Sequence, residues 1–193
     1  MSKEPASENN TDQGRRKLIK WLWRAPVIAV AGGAGFAFYE AYKVHFSKKK
    51  ASKNPKFKTY EKQEIIPLSQ ISREWDSYNF VYHGIPAMVI NISEELPGGV
   101  TVDGKHFSAF SRICTHQGCI VHLATNPEAI ATVFNYRPKH PDIVCDCHFS
   151  VFDPLIGSEA VSGPAERPLP RIRLEHSQGI LYASGVEITE DTG

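Results

Sequence analysis

The chain has 193 residues, 41% hydrophobic and 22% charged, which excludes wholesale disorder and a polytopic membrane protein. Its formal net charge of +1 argues against a nucleic-acid partner, yet it averages two unlike parts. Residues 1–58 hold 13 Lys/Arg against 4 Asp/Glu and residues 59–193 hold 9 against 17, so a +9 segment precedes a −8 one.

Residues 1–14 (MSKEPASENNTDQG) are polar without apolar periodicity and read as a disordered tail. Arg15-Arg16, followed by Leu18, Ile19 and Lys20 ahead of an apolar run, resemble a twin-arginine export signal on a cytoplasmic segment 1–20. Residues 21–42 (WLWRAPVIAVAGGAGFAFYEAY) are the candidate single transmembrane helix. Its uncharged stretch, Ala25–Tyr39, is shorter than the ~20 residues of a typical span, but Arg24 and Glu40 can reach the headgroups from its ends. Trp21 and Trp23 at one end, with Phe36, Phe38, Tyr39 and Tyr42 at the other, suit two interfacial belts. Gly32, Gly33 and Gly35 suit close packing against another membrane helix. Too short an apolar region precedes Ala29-Val30-Ala31 for cleavage there. Basic residues flank both ends of the span, so only the export motif orients the C-terminal part, placing it outside the cytoplasmic membrane. Residues 43–59 are polar and lysine-rich and predict a flexible tether to a domain at 60–193.

From Tyr60 short apolar runs alternate with Gly, Pro, Asn and Asp. They predict strands at Glu64–Ile66, Tyr78–Tyr82, Ala87–Ile92, Val100–Val102, Lys105–Ser111, Ile120–Leu123, Ile143–Cys145, Ile172–Glu175 and Ile180–Ser184. Val102-Asp103-Gly104-Lys105 and His176-Ser177-Gln178-Gly179 read as hairpin turns. The only competing helical pattern is a weak one near Pro127–Val133, inside the stretch Asn126–Pro141, which reads as an Ω-like surface loop. The domain is therefore all-β and large enough to bury its own core.

All four cysteines fall in two boxes, Cys114-Thr115-His116-Gln117-Gly118-Cys119 and Cys145-Asp146-Cys147-His148-Phe149-Ser150. Each box offers a thiolate and an imidazole at short spacing, and two such loops can clamp one metal centre. A Cys₂His₂ zinc ion and a two-iron cluster with thiolates on one iron and imidazoles on the other both satisfy that donor set. The other histidines (His45, His83, His106, His122, His140 and His176) have no partner spacing and read as surface or strand residues.

C-T-H-x-G-C followed by C-x-C-H-x-S resembles the ligand pattern of Rieske [2Fe–2S] proteins, in the disulfide-bearing form of quinol-oxidising cytochrome bc and b6f complexes. Gly163–Pro170 (GPAERPLP) resembles the Pro-rich loop that covers the cluster in that family. The resemblance implies an antiparallel β-sandwich or barrel with a small cluster-binding subdomain at about 112–170. It implies that Cys114 and Cys145 hold one iron and His116 and His148 the other, that Cys119 and Cys147 form a disulfide, and that Ser150 donates toward a bridging sulfide. It further implies that both imidazoles face a quinol, and that the partners are cytochrome b and a c-type cytochrome in a dimeric complex of the cell membrane. The acidic domain suits a basic cytochrome. The alternative is the electron-transfer subunit of another exported oxidoreductase, such as an arsenite oxidase with its molybdenum subunit. The sequence departs from the family where a Tyr usually follows the Ser by two residues: here that position is Phe152, without a hydroxyl. Asp146 and Phe149 replace a usual Pro and Gly, and Gln117 a usual apolar residue. Loss of a donor to sulfur and the Asp146 charge both predict a low potential, suited to menaquinol.

Overall fold

The computed structural model describes the backbone of residues 9–46 and 48–189 and the side chains of 17–42 and 48–189. The chain divides into two compact units, Met1–Lys43 and Val44–Gly193. In the first, helix α1 (Asn9–Phe46) runs unbroken through Pro26. Its segment Lys17–Tyr42 is long and apolar enough to cross a membrane, and Trp23, Val30 and Phe38 within it are exposed. The helix includes Asn9–Gly14, part of the stretch expected to be disordered; residues 1–8 of that stretch lie outside the described residues. Extending a helix adds a hydrogen bond per residue and needs no new nucleus, so a polar segment can follow an apolar one into it.

The second unit is a β head built from two sheets. The larger has seven strands in the order β1 (Phe57–Pro67), β11 (Ile180–Glu187), β10 (Arg171–Ser177), β5 (Lys105–Ser111), β3 (Ile85–Ile92), β2 (Ser77–Tyr82), with β4 (Val100–Val102) also on β5. The smaller has four, β6 (His122–Ala124), β7 (Asp142–Cys145), β8 (Ser150–Asp153) and β9 (Glu159–Ser162). All pairings are antiparallel. Three two-residue hairpins have both central residues left-handed: His83-Gly84, Asp103-Gly104 and Gln178-Gly179. That is the turn whose twist matches the flanking strands.

β3 explains why the two sheets pack as they do. Six consecutive residues, Ala87–Ile92, are buried, and successive side chains leave opposite faces of the strand. Ala87 and Val89 join Phe107, Ile172 and Leu181 inside the large sheet. Met88, Ile90 and Ile92 point the other way, into a second core with Phe110, Ile143, Phe152, Cys114 and Cys145. The second core thus fills the space between the sheets and ends at the two unpaired cysteines.

Strand limits follow the sequence closely at β4 and β5, and differ where no apolar run exists. β1 begins at Phe57 although only its last residues are buried; its pairing with β11 from Phe57 to Pro67 holds the polar part. β8 and β9 are additional to the expected strands, and Ile120 forms an isolated bridge with Ile113 rather than starting β6. Residues 48–56, within the stretch expected to be a free tether, lie against the head: Lys49 N–H donates to Glu166 O, Ala51 N–H to Glu159 Oε1, and Arg171 to Ser52 O. The expected loop 126–141 contains helix α2 (Pro127–Phe134), capped by Asn126, whose Oδ1 accepts from Glu128 N and Ala129 N. Its Ile130 and Phe134 pack on Val144 and Val151, covering the outer face of the small sheet. Burial of two such side chains contributes about 1.5–3 kcal/mol each, which outweighs the weak propensity of an eight-residue helix.

Arg171 locks strand β10 to the chain entering the head. Its side chain is 3% exposed and makes a forked pair with Glu187, at 2.9 Å from Nε to Oε2 and 2.7 Å from Nη2 to Oε1. Substitution of one partner leaves a buried charge uncompensated. Glu187→Ala is expected to lower stability by about 3–5 kcal/mol, and the double variant Arg171→Met/Glu187→Met by much less, as measured by denaturant unfolding.

Candidate metal centre

Two loops and a strap make one end of the small sheet. The first loop, 114–119, is closed at its base by the Ile113–Ile120 bridge and by Cys114 N–H donating to Cys119 O at 2.8 Å. Gly118 N–H returns to Cys114 O at 2.9 Å, which curls the loop so that Cys114 points inward and Gln117 outward. The second loop joins β7 to β8, with Cys145 paired opposite Ser150. The Cys119–Cys147 disulfide fastens the loops to each other.

Cys114 and Cys145 are the two free cysteines, 4% and 1% exposed. The sulfurs of Cys119, Cys145 and Cys147 lie within 4.8 Å of one another, so the disulfide borders the Cys145 thiol rather than competing for its role. Burial pushes the Cys114 thiol up, and the adjacent Cys145 adds to that shift. A cation against that thiol favours its thiolate. The His116 and His148 rings sit 4.8 Å apart, centroid to centroid, and nearly perpendicular. His116 Nδ1 is buried without a hydrogen-bond partner, while the His148 residue is exposed. Two desolvated thiols and an inward, unpartnered imidazole nitrogen fit a metal cluster with soft sulfur on one side and nitrogen on the other.

The Pro-rich strap 163–170 closes over this end. Ala165 N–H donates to Ser150 Oγ at 3.1 Å, leaving the hydroxyl proton of this fully buried serine to donate elsewhere. Thr115 Oγ1 donates to Arg167 O at 2.6 Å and Ser111 N–H to Pro170 O at 2.8 Å. Lys48 Nζ donates to the carbonyls of Gly163 and Ala165, at 2.8 and 3.1 Å. Neither Thr115 nor Lys48 stood out in the sequence. Thr115 lies inside the first box, so the motif contained it, but Lys48 is more than a hundred residues from the strap and no linear signal connects them. Of the remaining histidines, His83 stacks on Tyr60, His106 pairs with Thr101, and His122 lies 3.5 Å from Asp146. His140, expected to be a surface or strand residue, meets two carboxylates.

Comparison with known proteins agrees with this arrangement. Residues 61–173 match the Rieske [2Fe-2S] domain. Over 80 residues the chain is 38% identical to a Haloferax mediterranei protein whose name makes it the Rieske subunit of a respiratory nitrate reductase, covering 41% of this chain and 30% of that one. Over 78 residues it is 35% identical to the cytochrome bc1 complex Rieske iron-sulfur subunit of Streptomyces lividans, covering 40% and 39%. The matched stretch is thus well under half of each relative's length. The fold resembles the soluble domain of Rieske protein II from Sulfolobus acidocaldarius, with a TM-score of 0.52 at 22% identity over 69% of this chain and 83% of that one.

Gly163 carries the strap's close approach. Its φ is +76°, and a Cβ there would lie 2.5 Å from Ser150 Cα, against backbone that cannot yield. Gly163→Ala is expected to displace the strap and lower iron content and unfolding midpoint together. Gly84→Ala, equally left-handed but facing open space, should cost only about 1–2 kcal/mol and retain its iron.

Proposed function

This chain belongs to the Rieske [2Fe–2S] family, and we propose that it is the membrane-anchored iron–sulfur subunit of a bc-type quinol:cytochrome c oxidoreductase. It would take an electron and a proton from quinol and pass the electron to a c-type cytochrome. The observation that carries this reading is the imidazole pair, with His148 exposed beside a deeply shielded thiol pair. Cys114 and Cys145 would hold one iron, and His116 and His148 the other. When bound, the cluster supplies a one-electron acceptor whose potential imidazole ligation raises into a range of roughly −150 to +300 mV.

The protein's own groups do the rest. The strap and the second core keep water from the sulfur side, where Leu169, Ala165 and Phe152 are buried. On the nitrogen side an imidazole accepts the hydrogen bond, then the proton, of a quinol hydroxyl, a task suited to a ring whose protonation moves near neutral pH. The N-terminal helix would hold the head at the membrane, on the outer side by its export-type motif. The name of the Streptomyces relative supports the bc-type assignment; cytochrome b and a c-type cytochrome would be the partners, in a dimeric complex. The name of the Haloferax relative favours a second reading, the electron-transfer subunit of a terminal reductase. Purification from intact membranes decides: accompanying b-type haem supports the first reading, and a molybdenum-containing subunit in its place overturns it.

Phe152 tunes this centre. It is fully buried in the core that contains both free cysteines and has no hydroxyl to donate to a ligand sulfur. Asp146, exposed in the second loop, adds negative charge nearby. Both disfavour the more negative reduced form, so the potential should lie low in its range and suit menaquinol. Phe152→Tyr is expected to raise the midpoint in a redox titration followed by EPR; an unchanged or lower value overturns this account.

A further inference from the structure

The connection between the two ligand loops has a part that the proposed function does not use. At its end His140 lies between two carboxylates: Nδ1 is 3.1 Å from Asp142 Oδ1, and Nε2 is 3.6 Å from Asp153 Oδ2. One donor atom from each of the three residues lies within 4.8 Å of the others. Asp142 sits on β7 with its side chain 1% exposed, and neither of its oxygens has a hydrogen-bond partner among the described residues. His140 Nδ1 faces both Asp142 Oδ1 and the Pro141 carbonyl, each at 3.1 Å, and so is shared between them. A carboxylate in that position is costly unless a cation compensates it. One imidazole, even protonated, cannot balance two carboxylates, whereas a divalent ion does.

We propose that His140, Asp142 and Asp153 form a second metal site, for a structural divalent ion of the zinc class. One nitrogen and two carboxylate oxygens are donors that zinc accepts, with water completing the shell. The surroundings hold the donors as a metal site requires. Trp75 stacks on the His140 ring at 5.5 Å and 10°. The indole is itself placed by a left-handed backbone, with Trp75 N–H donating to Asn91 O at 2.7 Å. Asp153 is oriented by Leu155 N–H, which donates to its Oδ1 at 2.8 Å. His140 and Asp153, with side chains 23% and 16% exposed, open the site to solvent. The ion would tie the 126–141 connection to β7 and β8, the two strands that flank the second ligand loop.

The groups facing Asp142 are Asp153, His140 and Tyr136. Burial and then the Asp153 charge push Asp142 up to about 7, with His140 opposing, and burial followed by the same two carboxylates raises Tyr136. A proton therefore competes with the ion at neutral pH, and binding should tighten as pH rises through that value.

The test uses the full-length, cluster-loaded protein in detergent, freed of loosely held metal, with its iron counted before and after. Zn²⁺ is titrated in against a chromophoric chelator, and bound metal is measured after desalting. One zinc per chain, beyond the cluster iron, is expected, with binding at least tenfold weaker in His140→Gln, Asp142→Asn and Asp153→Asn. An unchanged EPR signal of the reduced cluster shows that each variant is folded. Should Asp142→Asn fail to fold, the two more exposed positions decide. No retained zinc in the wild type, or equal retention in the folded variants, overturns the site and leaves a proton-sharing His–Asp group.

Discussion

The head depends on holding together two loops that approach each other from opposite ends of a 28-residue separation, with a thiol buried in each. A disulfide alone would bring them near without setting their orientation. Orientation comes from the second core, where Cys114 and Cys145 are packed with Met88, Ile90, Phe110 and Phe152. Because the sulfurs belong to the hydrophobic core of the sheets, the site cannot loosen without opening that core. The apolar surroundings also make the Cys114 thiol a poor acid, which a bound cation corrects.

Shielding on the remaining side is supplied by a strap with few internal hydrogen bonds of its own. Its prolines limit the conformations it loses on docking, and it is fixed from outside by Ser150, Thr115, Ser111 and Lys48. Lys48 belongs to the chain entering the head, and its ammonium is held at two strap carbonyls despite the burial that lowers its pKa. The entry segment and the cover of the centre are thus one hydrogen-bonded unit. The lysine-rich composition of that segment is compatible with a solvated linker, and its docking is visible only in the folded chain.

Legibility followed the physics of each element. β4 and β5 were readable because apolar and β-branched runs end at an Asp-Gly turn. α2 carried its own signals, Asn126 at the cap and Pro127 in the first turn, but eight residues are too few for periodicity to outweigh a loop reading. β8 and β9 are short, contain Ser, Asp and Glu, and exist because β7 offers β8 an edge and β8 in turn offers one to β9. The polar half of β1 likewise owes its conformation to β11. In the centre, the spacing within the two boxes points to the cysteines and histidines, and the family resemblance adds Ser150. The relation of His140 to Asp142 and Asp153 has no linear signal, because it is created by pairing β7 with β8 and by the turn that places Trp75.

The sequence by itself determined the division into a basic, apolar N-terminal part and an acidic β head. It also determined the two ligand boxes, because box spacing and charge are properties of neighbours along the chain. The tertiary structure alone decided which thiols are dry, which imidazole nitrogen is turned inward, and what the strap rests on. It also decided that a histidine lies between a buried aspartate and a second carboxylate. Those outcomes depend on desolvation and on contacts between distant strands, and both arise only when the sheets close on each other.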